Sequence, residues 1–574
     1  MRIDEKASYP RPDWIRADYI SLNGTWDFAF ADGVDPVTCA LDRKIRVPFP
    51  YQSPASMVGT DEYHPVVVYE RTFALPESIG DRRVMLHFGA VDHTARVYVN
   101  GIPAGSHEGG YTPFALDVTD LLRPGENVLR VIAEDDDSLD VLRGKQCWDA
   151  PAGCHYVAVT GIWQEVWLEP VPEDRIESAR FVPDFGAVSV TGVIRFSRAV
   201  HGTVTLNVTK DGADVCRISQ TVVGRTARIT VNLPDHSFKD TQRVNWSPAR
   251  PNLFDADLTL DTGASSDTVS TYFGLRKVDV DGNRFYFNNS QLYLRMILAQ
   301  GYWTEGIYRP ADDDGYRADV EQIRALGFNC VRMHQKIEDP KFYYWADRLG
   351  LMVWGELPSF YALTERSGSE AVSTMEAFLD RDANHPSLIA WVPFNESWGL
   401  RKLLDDPRCA ALARTLYYLC KSRDPSRIVS TNDGWENVLP SDILSVHDYR
   451  DFTPTLAAFY SDPAVLNGGA ARTGHPYLLP GETYGGQPVM LTEFGGIWMV
   501  DPQGNPVMDS GEYLRRLQET MKNAWNAKMF CGYCYTQFTD TYQEQNGLVD
   551  MARQPKTDAE ELRKLFAFDP NTVK

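Results

Sequence analysis

No stretch of the 574-residue chain approaches the ~18 consecutive apolar residues that a membrane-spanning helix requires. Its N-terminus, MRIDEKASYPRPDW, has no apolar core of the kind found in secretory signals. Cysteine is sparse: nine residues, an odd number scattered without a framework, which predicts reduced thiols in a cytoplasm. Cys531-Gly532-Tyr533-Cys534 does not make a zinc site. Three-residue spacing on a strand points the two sulfurs to opposite faces, and no second pair completes the ligand set. Lysine and arginine form no run, and 57 of them face 78 acidic residues, for a formal net charge of -21. Such a surface repels phosphate backbones, which excludes nucleic acid as a partner. There is no Gly-x-Ser-x-Gly elbow, no phosphate-cradling Gly-Lys loop and no His-Glu-x-x-His pair. No metal or cofactor is therefore expected.

The chain that remains is a globular protein too long for one core, so about three domains are expected. From residue 1 to 172 it reads as short strands broken by turns, among them Val84–Phe88, Ala95–Val99 and Asn127–Ala133. Asn100-Gly101 is a strong hairpin signal. Strands at this spacing predict a β jelly roll. Residues 173–277 alternate in the same way, with Asp211-Gly212 as a turn. About 100 residues and roughly seven strands predict an immunoglobulin-like β-sandwich. These two sandwiches also offer surfaces for homo-oligomer formation, which light scattering would test.

From 278 to 574 the pattern changes to strand, loop and helix in repetition. Eight apolar runs read as buried parallel strands: Leu294–Ala299, Asn329–Met333, Leu351–Trp354, Leu388–Phe394, Ile428–Thr431, Ile443–Val446, Val489–Thr492 and Phe530–Tyr535. Helical periodicity marks Tyr316–Leu326, Phe342–Leu349, Glu512–Ala527 and Asp558–Phe566. This predicts a (β/α)8 TIM barrel, in which polar residues at the C-terminal ends of strands are placed to act. The fourth run leads into Asn395-Glu396-Ser397 and the seventh into Glu493-Phe494-Gly495-Gly496. A lone glutamate at a strand end reads as a cap or an ion-pair partner. Two of them on opposite sides of one barrel mouth are what glycosidic cleavage needs: one carboxyl holds a proton for the leaving oxygen while the other attacks the anomeric carbon.

Further motifs carry a family resemblance. Leu22-Asn23-Gly24-Thr25-Trp26, Tyr69-Glu70-Arg71-Thr72-Phe73, Val99-Asn100-Gly101 and Thr160-Gly161-Ile162-Trp163 occur in order, followed by Phe273-Gly274-Leu275-Arg276. Together with Phe-Asn-Glu-Ser and Thr-Glu-Phe-Gly-Gly, they resemble glycoside hydrolase family 2 over nearly the whole chain. The resemblance implies a retaining hydrolase of oligosaccharides or glycosides, with Glu396 as acid/base and Glu493 as nucleophile. It implies that Asn395 donates to the sugar 2-hydroxyl, and that Arg332 and His334 lie at the floor and rim of the sugar pocket. His447, Asp448 and Tyr449 close the sixth strand; the tyrosine is expected to bond the nucleophile and the histidine a sugar hydroxyl. Trp303, Tyr535 and Gln537 are candidates for stacking and hydroxyl contacts, and Glu356 for an arginine partner or hydroxyl acceptor. Arg143-Gly144-Lys145-Gln146 sits on a polar loop that reaches over the barrel or stays in solvent.

The sugar itself is less defined. The family's glucuronidases bind the sugar carboxylate with an Asn-x-Lys pair, and the matching stretch Glu544-Gln545-Asn546-Gly547-Leu548 has no lysine, so the resemblance disfavours a β-glucuronidase. Ala299 to Gly306 differs from the Asn-Arg-His-Glu ending typical of galactosidases. A β-galactosidase-like exo-enzyme is the expectation, with β-D-galactofuranosidase or α-L-arabinosidase as alternatives. A non-catalytic carbohydrate-binding protein is disfavoured, because such a module has no need of both carboxylates.

Overall fold

The computed structural model describes residues 6–148, 152–234, 244–450, 455–501 and 504–572. The first domain packs a six-stranded antiparallel sheet against a four-stranded one. Alternation gives each strand one core face: in Thr94–Val99 every second side chain is buried. Between the sheets lie Trp26, Tyr69, Phe88 and Leu129. Asn100 and Gly101 turn at φ 54° and 79°, pairing Thr94–Val99 with Ile102–Glu108 as the hairpin signal predicts. The glycine of Thr160-Gly161-Ile162 has a steric reason. Its φ is +87°, and a Cβ there would lie 2.0 Å from the Tyr69 hydroxyl. That hydroxyl in turn accepts from the Ile162 amide.

Among the described residues the second domain has five strands, two of them long and bent so that each supplies two of the roughly seven expected. Ser189–Lys210 and Ala213–Asn232 run for 22 and 20 residues. A register break between Arg195 and Val200 lets them bend and serve both layers of the sandwich. Asp211 and Gly212 form the turn between them.

The barrel strands are β1 (Leu294–Ala299), β2 (Cys330–Met333), β3 (Met352–Glu356), β4 (Leu388–Val392), β5 (Ile428–Val429), β6 (Leu444–His447), β7 (Val489–Gly495) and β8 (Phe530–Thr536). All pair in parallel, in the order β5-β4-β3-β2-β1-β8-β7-β6. Between β5 and β6 the ring is joined by loop bonds: the His447 amide donates to Gly434 O and the Gly434 amide to Ser445 Oγ. The outer helices include α1 (Asp314–Ala325), α2 (Pro340–Leu349), α3 (Glu365–Asp382), α4 (Pro407–Arg423), α5 (Thr455–Phe459), α6 (Ser510–Asn526) and α7 (Ala559–Phe566). Helix α2 starts with Asp339 capping Lys341 N, Pro340 in its first turn, and ends at left-handed Gly350. No helix among the described residues is long and apolar enough to cross a membrane. All nine cysteines are free, with Cys534 buried and Cys531 half-buried, as expected of opposite strand faces.

Candidate active site

Glu493 belongs to β7 itself, whereas Glu396 follows a separate two-residue strand, Phe394–Asn395, which pairs with Asn432–Asp433. Glu396 and Ser397 both hold left-handed backbone, at φ 49° and 56°. Conformations of this kind persist only where surroundings impose them. Here the Glu396 amide donates to Asp433 O, the Ser397 amide donates to Asn432 Oδ1, and Ser397 Oγ donates to Glu436. The turn thereby aims Glu396 across the mouth at Glu493. One oxygen of each carboxylate and a nitrogen of His447 lie within 4.8 Å of one another.

The two glutamates sit in a charge network that alternates in sign. Arg332, fully buried on β2, donates to Glu356 (2.7 Å), to Asn395 Oδ1 (2.7 Å) and to Glu493 Oε1 (3.2 Å), and lies 3.1 Å from Asp433. Tyr449 Oη donates to Glu493 Oε2 at 2.7 Å. His447 sits between Glu396 Oε1 (2.6 Å from Nδ1) and Asp433 Oδ1 (2.8 Å from Nε2). Burial alone would depress the His447 pKa, but Glu493, Asp433 and Glu396 outweigh it and push the ring up to about 10. The ring is thus an imidazolium whose two N–H groups face Glu396 and Asp433. Against its own burial, Asp433 is held well below the usual carboxylate range by Arg332 and then His447.

The first domain covers this mouth with one loop. The Arg143 and Gly144 amides donate to Ser359 O beyond β3, and Tyr361 Oη donates to Gly144 O at 2.6 Å. Gly144 has φ +59°, and a Cβ there would lie 2.3 Å from Gln335 O. Gln146 is tied to Asp92, Tyr111 and the Val159 amide. Between these clamps Lys145 turns inward, its Nζ 5.6 Å from the ring centroids of both Tyr156 and Trp398. Trp398 Nε1 donates to Glu396 Oε2 at 3.2 Å, and Tyr156 donates to Glu544.

Residues 19–172 match the family described as "Glycosyl hydrolases family 2, sugar binding domain", and 175–276 match "Glycosyl hydrolases family 2". Residues 278–568, half of the chain, match "Glycosyl hydrolases family 2, TIM barrel domain". The chain belongs to glycosyl hydrolases family 2. Among its relatives is a β-galactosidase of Thermoanaerobacter pseudethanolicus, 28% identical over 67% of this chain and 51% of the relative. A β-glucuronidase of Bacteroides fragilis is 26% identical over 77% of this chain and 65% of the relative. The chain thus spans between half and two thirds of these curated relatives. In the solved structures, a family 2 β-galacturonidase of Eisenbergiella tayi bound to galacturonate shares the fold, with a TM-score of 0.75 at 20% identity, covering 96% of this chain and 97% of that one.

Within this family 2 barrel most of the expected residues converge. Asn395, Arg332, Glu356, Tyr449 and His447 surround the two glutamates, and His334 Nδ1 lies 3.0 Å from Glu356 Oε1. Gln537 is held by side-chain bonds to Gln300 and Asn546. Four expectations need correction. His447 was expected to hold a sugar hydroxyl, but both its nitrogens are committed to carboxylates. Asp448, one residue on, faces away from the mouth, and its carboxylate takes Arg450 and the Tyr460 hydroxyl. Tyr535 points to the helix layer, its ring between Phe494 and Phe566. Trp303 is buried against Tyr316 on α1, with Lys336 and Arg553 each 5.1 Å from its ring centroid, so it offers no stacking face. Sequence reasoning missed Asp433, Trp398, Tyr156 and Glu544. Asp433 carried a usable signal, the polar run Thr431-Asn432-Asp433-Gly434 at the end of a barrel strand. Glu544 stood in the stretch that matches the family's carboxylate-binding position, whereas Trp398 and Tyr156 had no signal, because only folding brings them to the mouth.

Proposed function

We propose that the chain is an exo-acting, retaining glycosidase that releases a terminal β-linked sugar through a covalent glycosyl-enzyme intermediate. Glu493 attacks the anomeric carbon as the bond to the leaving oxygen breaks, and Glu396 gives that oxygen its proton. Glu396, now ionised, then takes a proton from water, whose oxygen displaces Glu493 and restores the enzyme. The observation that carries this reading is the approach of the two carboxylates to within 4.8 Å, oxygen to oxygen. Retaining enzymes hold their carboxyl groups about 5–5.5 Å apart, and inverting ones wider to admit a water. Arg332 and Tyr449, both bonded to Glu493, stabilise its negative charge before attack and after release. Asn395 spends Oδ1 on Arg332, which leaves Nδ2 to donate to a sugar hydroxyl.

Relatives carry both β-galactosidase and β-glucuronidase names, which leaves the glycone to the pocket's own side chains. The hydrolase reading is tested with Glu493→Gln, which should lower turnover of a nitrophenyl glycoside by about ten-thousand-fold or more. Unchanged turnover would sink it. For Glu396→Ala, external azide should restore release of a good leaving group and give a β-glycosyl azide, because azide needs no general base.

A further inference from the structure

Most of the cations near the pair are matched. Arg332 has four acceptors, and His447 lies between two carboxylates. Lys145 differs. The residue is 6% exposed, yet among the described residues its ammonium has no hydrogen bond and no carboxylate within 4.0 Å. An ammonium at a largely buried position, with aromatic rings but no carboxylate beside it, is placed to pair with an anionic group on a ligand. Nothing about its placement is slack. Gly144 on one side is pressed against Gln335 O and Gln146 on the other is bonded three ways, so the loop delivers this one side chain to the mouth. The rings it faces are site residues, since Trp398 bonds Glu396 and Tyr156 bonds Glu544.

We propose that Lys145 is the specificity residue of the site, pairing with the carboxylate of a hexuronic acid held as the glycone, so that the substrates are β-linked uronides. The proposal deepens the hydrolase reading and rests on it. The matching stretch 544–548 lacks a lysine, and here the cation comes instead from the first domain. Glu544 does not compete for it, because its carboxylate is engaged by Tyr156 and by Asn546 Nδ2 at 3.2 Å. Lys145 also has company. Arg143 and Arg401 lie 5.1 and 5.5 Å from the Tyr361 ring centroid, which is 5.9 Å from that of Trp398. In a chain of net charge -21, three cations thus gather at the mouth. Burial, then Lys145 and Arg332, hold His334 well below its ordinary pKa, so that ring meets the sugar as a neutral group. The depth of Lys145 selects the glycone over the leaving group, which leaves past the more exposed border.

The test uses the full chain with paired nitrophenyl substrates, β-D-glucuronide against β-D-glucoside and β-D-galacturonide against β-D-galactoside. One uronide should exceed its neutral counterpart in kcat/KM by about a hundredfold or more, in line with a site built around a charged group. Lys145→Met, which keeps the aliphatic packing, should remove most of that ratio by lowering uronide turnover and leaving the neutral sugar within roughly threefold. Lys145→Arg should restore part of it. A wild type that prefers neutral sugars, or a Lys145→Met variant that loses equally on both, overturns the proposal. So does a uronate preference that appears only when the acid is on the leaving side. Calorimetric titration with free D-glucuronate and D-galacturonate, beside D-glucose and D-galactose, reads the same preference without turnover. Uronate binding lost in Lys145→Met but no hydrolysis of any glycoside would defeat the hydrolase reading alone. Hydrolysis without uronate preference would defeat the Lys145 assignment alone.

Discussion

The two sandwiches touch opposite ends of the same barrel. The first meets the C-terminal ends of the strands, where Arg143 and Gly144 bond Ser359 O, Tyr156 bonds Glu544, and His155 stacks on Trp398 with centroids 5.4 Å apart. The second meets the N-terminal ends. There Arg276 donates to Leu388 O at the start of β4 and to Ser426 O before β5, and Trp246 Nε1 donates to Asp347 O at the end of α2. One β-domain supplies side chains to the barrel mouth, and the other braces the opposite end of the barrel. The difference follows from barrel polarity: strand C-termini open into the loops that form a site, while the opposite ends carry stability. Similar strand patterns in sequence therefore give two unrelated roles.

That division can be broken by measurement. At the mouth, His447 is the strongest lever. Its pKa is pushed up to about 10, so its contribution to stability is full below an unfolded-state pKa of about 6.5 and is lost as pH rises through 10. The contribution is on the order of 5 kcal/mol, and His447→Gln should flatten the alkaline fall in unfolding free energy measured by denaturant titration. At the base, Arg276→Met leaves buried carbonyls without donors and should cost about 3 kcal/mol. The midpoint of denaturant unfolding should drop while kcat/KM of the folded enzyme changes by less than about twofold; a larger kinetic loss would show that the second domain takes part in catalysis. Tyr449→Phe reverses the pattern. Losing the hydroxyl on Glu493 should lower kcat by roughly a hundredfold with little change in unfolding midpoint. Smallest is Gly144→Ala, where left-handed backbone and the Gln335 contact should cost about 1–3 kcal/mol. Its kinetic effect should fall on uronides more than on neutral sugars, since it shifts the loop that carries Lys145.

The architecture was legible because periodicity carries it. β1 appears at the boundaries its apolar run predicts, and the two hairpin turns lie at Asn100-Gly101 and Asp211-Gly212. In the second domain a bend inside each of two long strands reads in sequence as a break between short ones, so roughly seven short runs fold as five strands of the expected sandwich. At the site, Glu396 and Glu493 stood out through strand-end position and neighbours, and Arg332, Asn395 and Tyr449 fell where strand ends place them. Tyr535 and Asp448 failed for the same reason. Alternation sends each side chain at a strand end inward or outward, and a parallel strand buried on both faces gives no polarity contrast to show which.

Sequence by itself determined the three-domain order, the barrel, the membership in family 2 and the two carboxylates, because each is written in local pattern or motif. Tertiary structure alone decided that His447 is bound between carboxylates rather than open to substrate. It also decided that a loop more than 200 residues before the catalytic strands brings Lys145 into the mouth. Charge placement depends on which distant segments share one dry space. A linear sequence carries no record of that distance.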